Sequence, residues 1–350
     1  MIVTIISFIL IFCVLVISHE FGHFIVAKAN GIHVVEFFVG LGPTLFHYTK
    51  GGTKYSLKLI PFGGACVFEG EDGMAEEKGE ISEGAFPSAK VGARIATIFA
   101  GPFFNFLLAF FIAVILVAFS GTDRPVIRAL TQGGQAEAAG LQAGDLITKI
   151  DREKIHVYRQ ISLISALNEG EPLTVTYERD GESHTTVVTP TYDEAADRYY
   201  IGIMGAGEYM KCSTLQTFQY AFYEVDFVTK LTFKSLKILF TGKATRDDVA
   251  GPVGMVKLVG DTYEEAKPYG VSSVVLSMMN IALLLSVNLG IMNLLPIPAL
   301  DGGRLVFLLL ELIRGKPVPP DKEGMVHLAG MIGLMVLMVL VLFNDITKFF

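Results

Sequence analysis

Four stretches of the chain stay apolar for the roughly 20 residues needed to cross a hydrocarbon core: Ile2 to Val26, Ile95 to Phe119, Val271 to Leu295 and Met325 to Phe343. Between the second and third the pattern changes to that of a soluble domain. Pro125 to Leu130, Asp145 to Ile150, Leu173 to Glu178 and Ser183 to Thr189 read as strands, and Val157 to Leu167 as a short amphipathic helix. Asp180-Gly181 supplies the turn between the last two strands, because glycine tolerates φ > 0. Thr214 to Phe240 is apolar but carries Glu224, Asp226, Lys230, Lys234 and Lys237, and midspan charges on that scale disfavour a fifth crossing. It predicts an amphipathic helix with Leu215, Phe218, Phe222 and Val225 toward the membrane, or one packed on the soluble domain.

The loop after the first span holds three β-type runs, Val34 to Phe38, Thr53 to Leu59 and Ala65 to Glu69. Glycine-rich turns at Gly40 to Gly42, Gly51-Gly52 and Gly63-Gly64 separate them. Irregular backbone at membrane depth needs protein or water to satisfy it, so this hairpin loop is expected beside a polar cavity. The segment from Gly140 to Asp151, the helix and the hairpin resemble a PDZ domain of the bacterial protease type, with Tyr200-Ile201-Gly202-Ile203 closing it. Such a domain captures an extended peptide by adding it to a sheet edge; a ligand-free α+β domain is the other reading.

Composition agrees with a membrane protein: of 350 residues 51% are hydrophobic and only 18% charged, with a mean hydropathy of +0.51. The first span lacks a basic n-region and a small-residue cleavage site and is expected to be retained. Lys28, Lys50, Lys54, Lys58, Lys90 and Arg94 lie between spans one and two, and Arg304, Arg314, Lys316 and Lys322 between three and four. Cytoplasmic loops carry the Lys/Arg excess, so both termini and the soluble domain are predicted to face outward. A net charge of −7 argues against nucleic acid as a partner. Cys13, Cys66 and Cys212 form no obvious pair in this topology, and Cys66 reads as a loop thiol more readily than as a nucleophile.

Against this background the run Ser18-His19-Glu20-Phe21-Gly22-His23 is anomalous, because ionisable groups inside a span are expensive. On a helix, His19 and His23 stand one turn apart on one face with Glu20 rotated off it. Both imidazoles can then reach one metal ion while the carboxylate addresses water. A catalytic zinc takes three protein ligands, so one is missing. Asp301, Glu311, Glu36, His33, His47 and His327 are the candidates. Asp301 sits where Pro296 and Pro298 break the third span and Gly302-Gly303 follow, at the same predicted depth as His19.

His19-Glu20-Phe21-Gly22-His23 together with Asn293-Leu294-Leu295-Pro296-Ile297-Pro298-Ala299-Leu300-Asp301-Gly302 resembles the site-2 protease family of intramembrane zinc metalloproteases. Pro61-Phe62-Gly63-Gly64, Gly101-Pro102-Phe103-Phe104-Asn105 and Gly251-Pro252-Val253-Gly254 extend the likeness nearly end to end. The bacterial branch that cuts anti-sigma factors and remnant signal peptides is the nearest match. Its well-known Gram-negative members carry two PDZ domains in tandem, whereas only one fits here. The resemblance implies a polytopic α-helical membrane protein of four transmembrane helices, with a membrane-associated β-hairpin loop and one α+β PDZ domain inserted between helices two and three. The expected divisions are an N-terminal membrane core 1–120, a PDZ domain 121–205, an amphipathic linker 206–270 and a C-terminal membrane core 271–350.

It further implies zinc held by His19, His23 and Asp301, with Glu20 as general base. Asn293 and the loop at Pro61, Gly63 and Gly64 would hold an unwound substrate strand, with Asn105 a weaker contact or a span–span hydrogen bond. The expected substrate is a previously trimmed transmembrane protein, cut within the lipid bilayer of the bacterial plasma membrane near its cytoplasmic side. The PDZ domain would hold a peptide end or filter by size. Two other classes compete with this reading. One is a non-catalytic scaffold whose metal would be closed by four protein ligands; the other is a metal transporter, which would show repeated halves that this sequence lacks.

Overall fold

The computed structural model describes residues 2–71, 82–204, 208–242, 245 and 249–349. It divides into two compact units, one of Met1–Ile112 with Thr232–Phe350, the other of Ala113–Leu231. In chain order the elements are α1 (Ile2–Ala29), β1 (Val34–Lys50), β2 (Thr53–Phe68) and α2 (Val91–Ser120), then β3 (Thr122–Arg124), β4 (Ala129–Leu130) and α3 (Gln135–Ala138). There follow β5 (Leu146–Ile150), β6 (Glu153–Lys154), α4 (Tyr158–Leu167), β7 (Leu173–Arg179), β8 (Glu182–Val188), β9 (Thr191–Asp193), β10 (Arg198–Tyr200), β11 (Ile203–Met204) and β12 (Glu208–Met210). The chain ends in α5 (Thr214–Phe240), α6 (Pro252–Ala266), α7 (Val271–Leu294), α8 (Asp301–Arg314) and α9 (Pro320–Phe349).

In the first unit α1, α2, α7 and α9 are long and apolar enough to cross a bilayer, matching the four apolar runs. The last of them starts earlier and ends later than Met325 to Phe343. Pro320 is tolerated in a first helical turn, and Asp321 and Glu323 suit the positive end of the helix. Two helices were not expected. α8 is too short and glycine-led to register as an apolar run, and it stops where Gly315 adopts φ +68. α6 begins at the Gly251-Pro252 step, and the buried Asp345 of α9 accepts the N–H groups of Gly251 (3.0 Å) and Gly254 (2.9 Å). A carboxylate at a helix N-terminus satisfies donors that the helix itself leaves open.

The loop after α1 departs from the expected three short runs. β1 and β2 continue through the glycines as two strands of 17 and 16 residues, joined at Gly51-Gly52. The register slips repeatedly, so that Phe37 faces both Cys66 and Tyr55 and Val39 faces both Gly64 and Leu57. Gly40, Gly42 and Gly63 take positive φ within the strands. At Gly40 a Cβ would stand 3.0 Å from the Lys58 carbonyl oxygen, so only glycine lets the strands close at that kink. Leu41, Leu45, Phe46, Leu59 and Ile60 stay exposed on this hairpin, an apolar surface suited to lipid.

The second unit is α+β. A four-stranded antiparallel sheet runs β6-β5-β7-β8, and its apolar face packs with α4 around Ile127, Leu141, Ile147, Ile150, Ile161, Leu173, Val175 and Val188. The run Pro125 to Leu130, expected as one strand, is instead split. Val126 makes an isolated bridge to Leu146, and only Ala129–Leu130 forms β4, paired with β11. Pro125 lacks a backbone N–H and so interrupts the ladder there. Residues 205–207 lie outside the described residues, and with them the expected boundary at 205/206.

Of the four α5 residues expected on one face, Val225 is half-buried. Leu215, Phe218 and Phe222 are exposed, while Glu224 is buried and accepts a hydrogen bond from Arg159 Nη2 at 2.5 Å. Arg159 also donates to both oxygens of buried Asp123, at 3.1 Å each, and the Tyr223 ring stacks on His156 at 3.8 Å. One guanidinium thus neutralises two buried carboxylates. Replacing Arg159 by alanine is expected to destabilise this unit by about 3 kcal/mol, because it strands both charges while the lost side chain was itself partly solvated. Faster hydrogen exchange at the β5 and β7 amides of the full-length variant would report the loss; unchanged protection would show that the triad contributes nothing.

Candidate metal centre

The HExxH segment lies on α1, and the helix delivers both imidazoles to its buried face, His19 at 8% and His23 at 5% exposure. Their Nε2 atoms are 3.2 Å apart and their rings meet edge to face. Asp301, the first residue of α8, brings Oδ2 to 3.2 Å from His19 Nε2 and 3.4 Å from His23 Nε2. Among the described residues these three form the single group of His, Cys, Asp and Glu side chains able to hold a metal ion.

The geometry fits a zinc ion. Ligand bonds of about 2.0–2.1 Å at tetrahedral angles separate neighbouring donor atoms by roughly 3.3–3.4 Å, which is the spacing found. Oδ2 of Asp301 is buried and has no hydrogen bond among the described residues. An unrelieved carboxylate oxygen facing two imidazole nitrogens is a poor arrangement unless a cation lies between them.

Close helix packing and the far sides of the rings fix this arrangement. His23 Nδ1 donates to the Thr97 carbonyl of α2 at 2.9 Å, which leaves Nε2 with its lone pair. His19 Nδ1 lies 3.1 Å from the side-chain amide of Asn105, itself fully buried on α2. That amide can present its oxygen, so it can accept the Nδ1 proton and free Nε2 in the same way. Asn105 is therefore not open to a substrate; of its two sequence readings, the structure has the span–span hydrogen bond. Glycines permit the approach. A Cβ at Gly22 would sit 2.8 Å from the Ala100 carbonyl carbon, and one at Gly101 would collide with both imidazoles. The glycine of Gly101-Pro102-Phe103-Phe104-Asn105 thus has a steric reason.

Glu20 turns off the histidine face toward the hairpin, where its Oε2 accepts the Cys66 backbone N–H of β2 at 2.9 Å. Gly64 is packed under it: a Cβ there would be 3.6 Å from Glu20 Cγ and 2.8 Å from the Phe38 carbonyl oxygen. Burial and the nearby Glu20 carboxylate push the Cys66 thiol well above its ordinary range. It stays protonated, and the nucleophile reading of that cysteine falls. Gly63 adopts φ +83 in the same strand. Pro61 lies on β2, with its side chain outside the described residues. Asn293, near the end of α7, is half-buried and its side chain makes no hydrogen bond among the described residues.

The other third-ligand candidates lie elsewhere. Glu311 pairs with Arg94 at 2.5 Å, Glu36 with Lys54 at 3.0 Å, and His33 with Glu69 at 2.7 Å. His327 accepts the Ala299 N–H at 2.9 Å, and His47 is exposed on the hairpin, outside the group that His19 and His23 form with Asp301. Sequence reasoning missed Thr97, which acts through a backbone carbonyl and leaves no side-chain signal. It also missed the pairs that pin α8 in place, Arg94 with Glu311 and Arg304 with Glu71. In the sequence Arg94 and Arg304 stand out only as topology signals.

Two substitutions test the centre. Asn105→Ala is expected to weaken zinc binding by about 10–100-fold, the usual effect of losing a group that orients a histidine ligand. Gly101→Ala is expected to purify without zinc, since its methyl group displaces both rings. Chelator competition and elemental analysis on purified protein measure both; wild-type zinc content in Gly101→Ala would contradict the packing described.

Comparison with known proteins gives a consistent picture. A sequence profile described as Peptidase family M50 matches residues 7–338. The chain is 33% identical to "Zinc metalloprotease RasP" of Geobacillus kaustophilus, over 99% of this chain and 98% of that one. It is 35% identical to "Probable protease eep" of Enterococcus faecalis, over 99% of each. It is 33% identical to a "Putative zinc metalloprotease" of Clostridium acetobutylicum, over 97% of this chain and 96% of that one. Among solved structures, the PDZ domain of an SdrC-like protein from Listeria monocytogenes overlaps 23% of this chain and 83% of its own, at 22% identity and a TM-score of 0.20. With its match to the family profile, its near full-length relatives and four apolar helices, the chain belongs to peptidase family M50, the site-2 protease family of intramembrane zinc metalloproteases.

Proposed function

We propose that His19, His23 and Asp301 hold the zinc ion of this protease and that Glu20 is its general base. The observation that carries this reading is the mutual 3.2–3.4 Å spacing of two imidazole nitrogens and a carboxylate oxygen that has no hydrogen bond among the described residues. When bound, zinc supplies Lewis acidity toward the scissile carbonyl and the attacking water. Glu20, with one carboxylate oxygen tied to the Cys66 N–H, has the other left to take the proton of that water. Water adds to the carbonyl carbon, the C–N bond breaks, and Glu20 returns the proton to the departing nitrogen. Among the described residues three protein ligands rather than four meet at the site, which favours an open coordination position and catalysis over the closed site of a scaffold.

A transmembrane helix hides its carbonyls in i to i−4 hydrogen bonds, and exposing them in lipid costs several kcal/mol per group. The enzyme therefore supplies replacement partners. We assign this role to Asn293, whose side chain is uncommitted, and to the β2 backbone around Pro61, Gly63 and Gly64, beside Glu20. Asn105 is left out of this group because it is buried against His19. The substrates are transmembrane segments of proteins already trimmed on the outer side, in regulated intramembrane proteolysis. The basic residues after α1 and after α7 support both termini lying outside and cleavage near the cytoplasmic face.

The segment 121–205 acts as a PDZ-type domain that receives a peptide end or excludes large ectodomains. A cavity of about 130 Å³ between α4 and β10 supports a peptide site there; Ile161, Ser162 and Ser165 line one side, Arg198, Tyr199 and Ile203 the other. Replacing Glu20 by glutamine tests the catalytic assignment. Zinc content should match wild type, while cleavage of a model transmembrane substrate in detergent or vesicles should drop by about 10²–10⁴-fold. Retained turnover would refute the role given to Glu20.

A further inference from the structure

Asp301 reaches the two histidines only because the chain reverses sharply after α7. Pro296 and Pro298 cannot continue that helix, and the reversal is completed within Leu295 to Leu300. The turn is tight. Ile297 N–H donates to the Leu295 carbonyl at 2.7 Å and Leu300 N–H to the Ile297 carbonyl at 3.2 Å. A Cβ on Gly303 would stand 2.9 Å from Pro298 Cα. Within this turn Ala299 adopts φ +76, a left-handed backbone that side chains with a Cβ disfavour. Glycine would be the ordinary occupant. A strained residue persists only where its surroundings hold it, and such residues collect at functional sites.

The group that holds Ala299 comes from another helix. His327 of α9 accepts the Ala299 N–H on Nδ1 at 2.9 Å. Its ring lies 5.4 Å from that of Phe307 on α8, the helix that Asp301 opens. Gly330, three residues on and on the same face of α9, presses against the same turn; a Cβ there would lie 2.6 Å from the Pro298 carbonyl oxygen. The last membrane helix thus bears on the reversal at two adjacent residues, with one directional bond.

We propose that His327 is a positioning residue for the metal centre: by fixing Ala299 in its left-handed conformation it sets where the Asp301 carboxylate stands relative to His19 and His23. The inference rests on the reading of Asp301 as the third ligand. It predicts that the function of His327 is tied to the backbone of Ala299 and not to packing of α9 in general.

The test uses full-length protein in detergent, zinc affinity by chelator competition, and cleavage of a model transmembrane substrate. His327→Ala should weaken zinc binding by about tenfold, in the range for groups one step removed from a ligand. His327→Asn keeps an acceptor near the Nδ1 position and should stay within about threefold of wild type. The deciding variant is Ala299→Gly combined with His327→Ala. Glycine takes φ +76 without the steric penalty, so the double variant should recover most of the lost affinity. A merely structural role of His327 would not be rescued there. Undiminished zinc affinity in His327→Ala, or a double variant no better than the single one, overturns the proposal. Asp301→Ala in the same assay keeps the two readings apart. If it retains zinc, the ligand assignment is wrong; if it loses zinc while the His327 series stays flat, only the positioning role fails.

Discussion

Three lone-pair donors, two imidazole nitrogens and a carboxylate oxygen, face one another at 3.2–3.4 Å inside an apolar helix pack. Such a set is relieved by a proton or a metal cation among its members, and the neighbouring helices hold it assembled. Gly22 and Gly101 bring α1 and α2 close enough for the rings to meet the Thr97 carbonyl and the Asn105 amide. Arg94 with Glu311 and Arg304 with Glu71 fasten α8, the helix that carries Asp301. Charged pairs of this kind are weak sources of stability but strong sources of specificity in position, since breaking one leaves a charge stranded.

The hairpin β1–β2 links this centre to the membrane side of the problem. Leu41, Leu45, Phe46, Leu59 and Ile60 are exposed on it, while its β2 strand presents a backbone N–H to Glu20 through Cys66. The same strand carries the backbone to which we assign the holding of an extended substrate peptide, the form a helical substrate must adopt before its carbonyl can be attacked. The glycines explain how a strand pair fits here. Gly40 and Gly64 have no room for a side chain, and the register slips between β1 and β2 are where the ladder is kinked.

The last helix has more connections than an apolar anchor needs. At one end His327 and Gly330 bear on the turn before Asp301, and at the other Asp345 caps α6 through Gly251 and Gly254. The glycine-proline motif before α6 is therefore a helix start built to receive a carboxylate: Pro252 fits the first turn, and at Gly251 a Cβ would lie 2.8 Å from the Asp345 carboxylate. Both contacts tie segments far apart in the chain to the backbone around the third span.

What could be read from the sequence were the features with a period or a cost attached. Apolar runs marked the four spans, alternation marked β7 and β8, and the expense of His19, Glu20 and His23 inside a span marked the chemistry. Glu224 and the four other charges of its segment argue against a fifth span, and α5 is not among the four described helices long and apolar enough to cross. What only the tertiary structure decided depends on neighbours distant in the chain. Six residues had the right chemistry to complete the site with the two histidines. Asp301 alone among them meets both, because the reversal after α7 and the pairs on α8 place it there. Asn105 changed from a possible substrate contact to a partner of His19, Cys66 from a possible nucleophile to a buried thiol beside Glu20, and Arg94 from a topology signal to an ion pair. Local sequence sets which groups a segment carries and which way its face turns. Which carboxylate meets which imidazole is set by helix packing, where a single missing methyl group at Gly22 or Gly101 decides the distance.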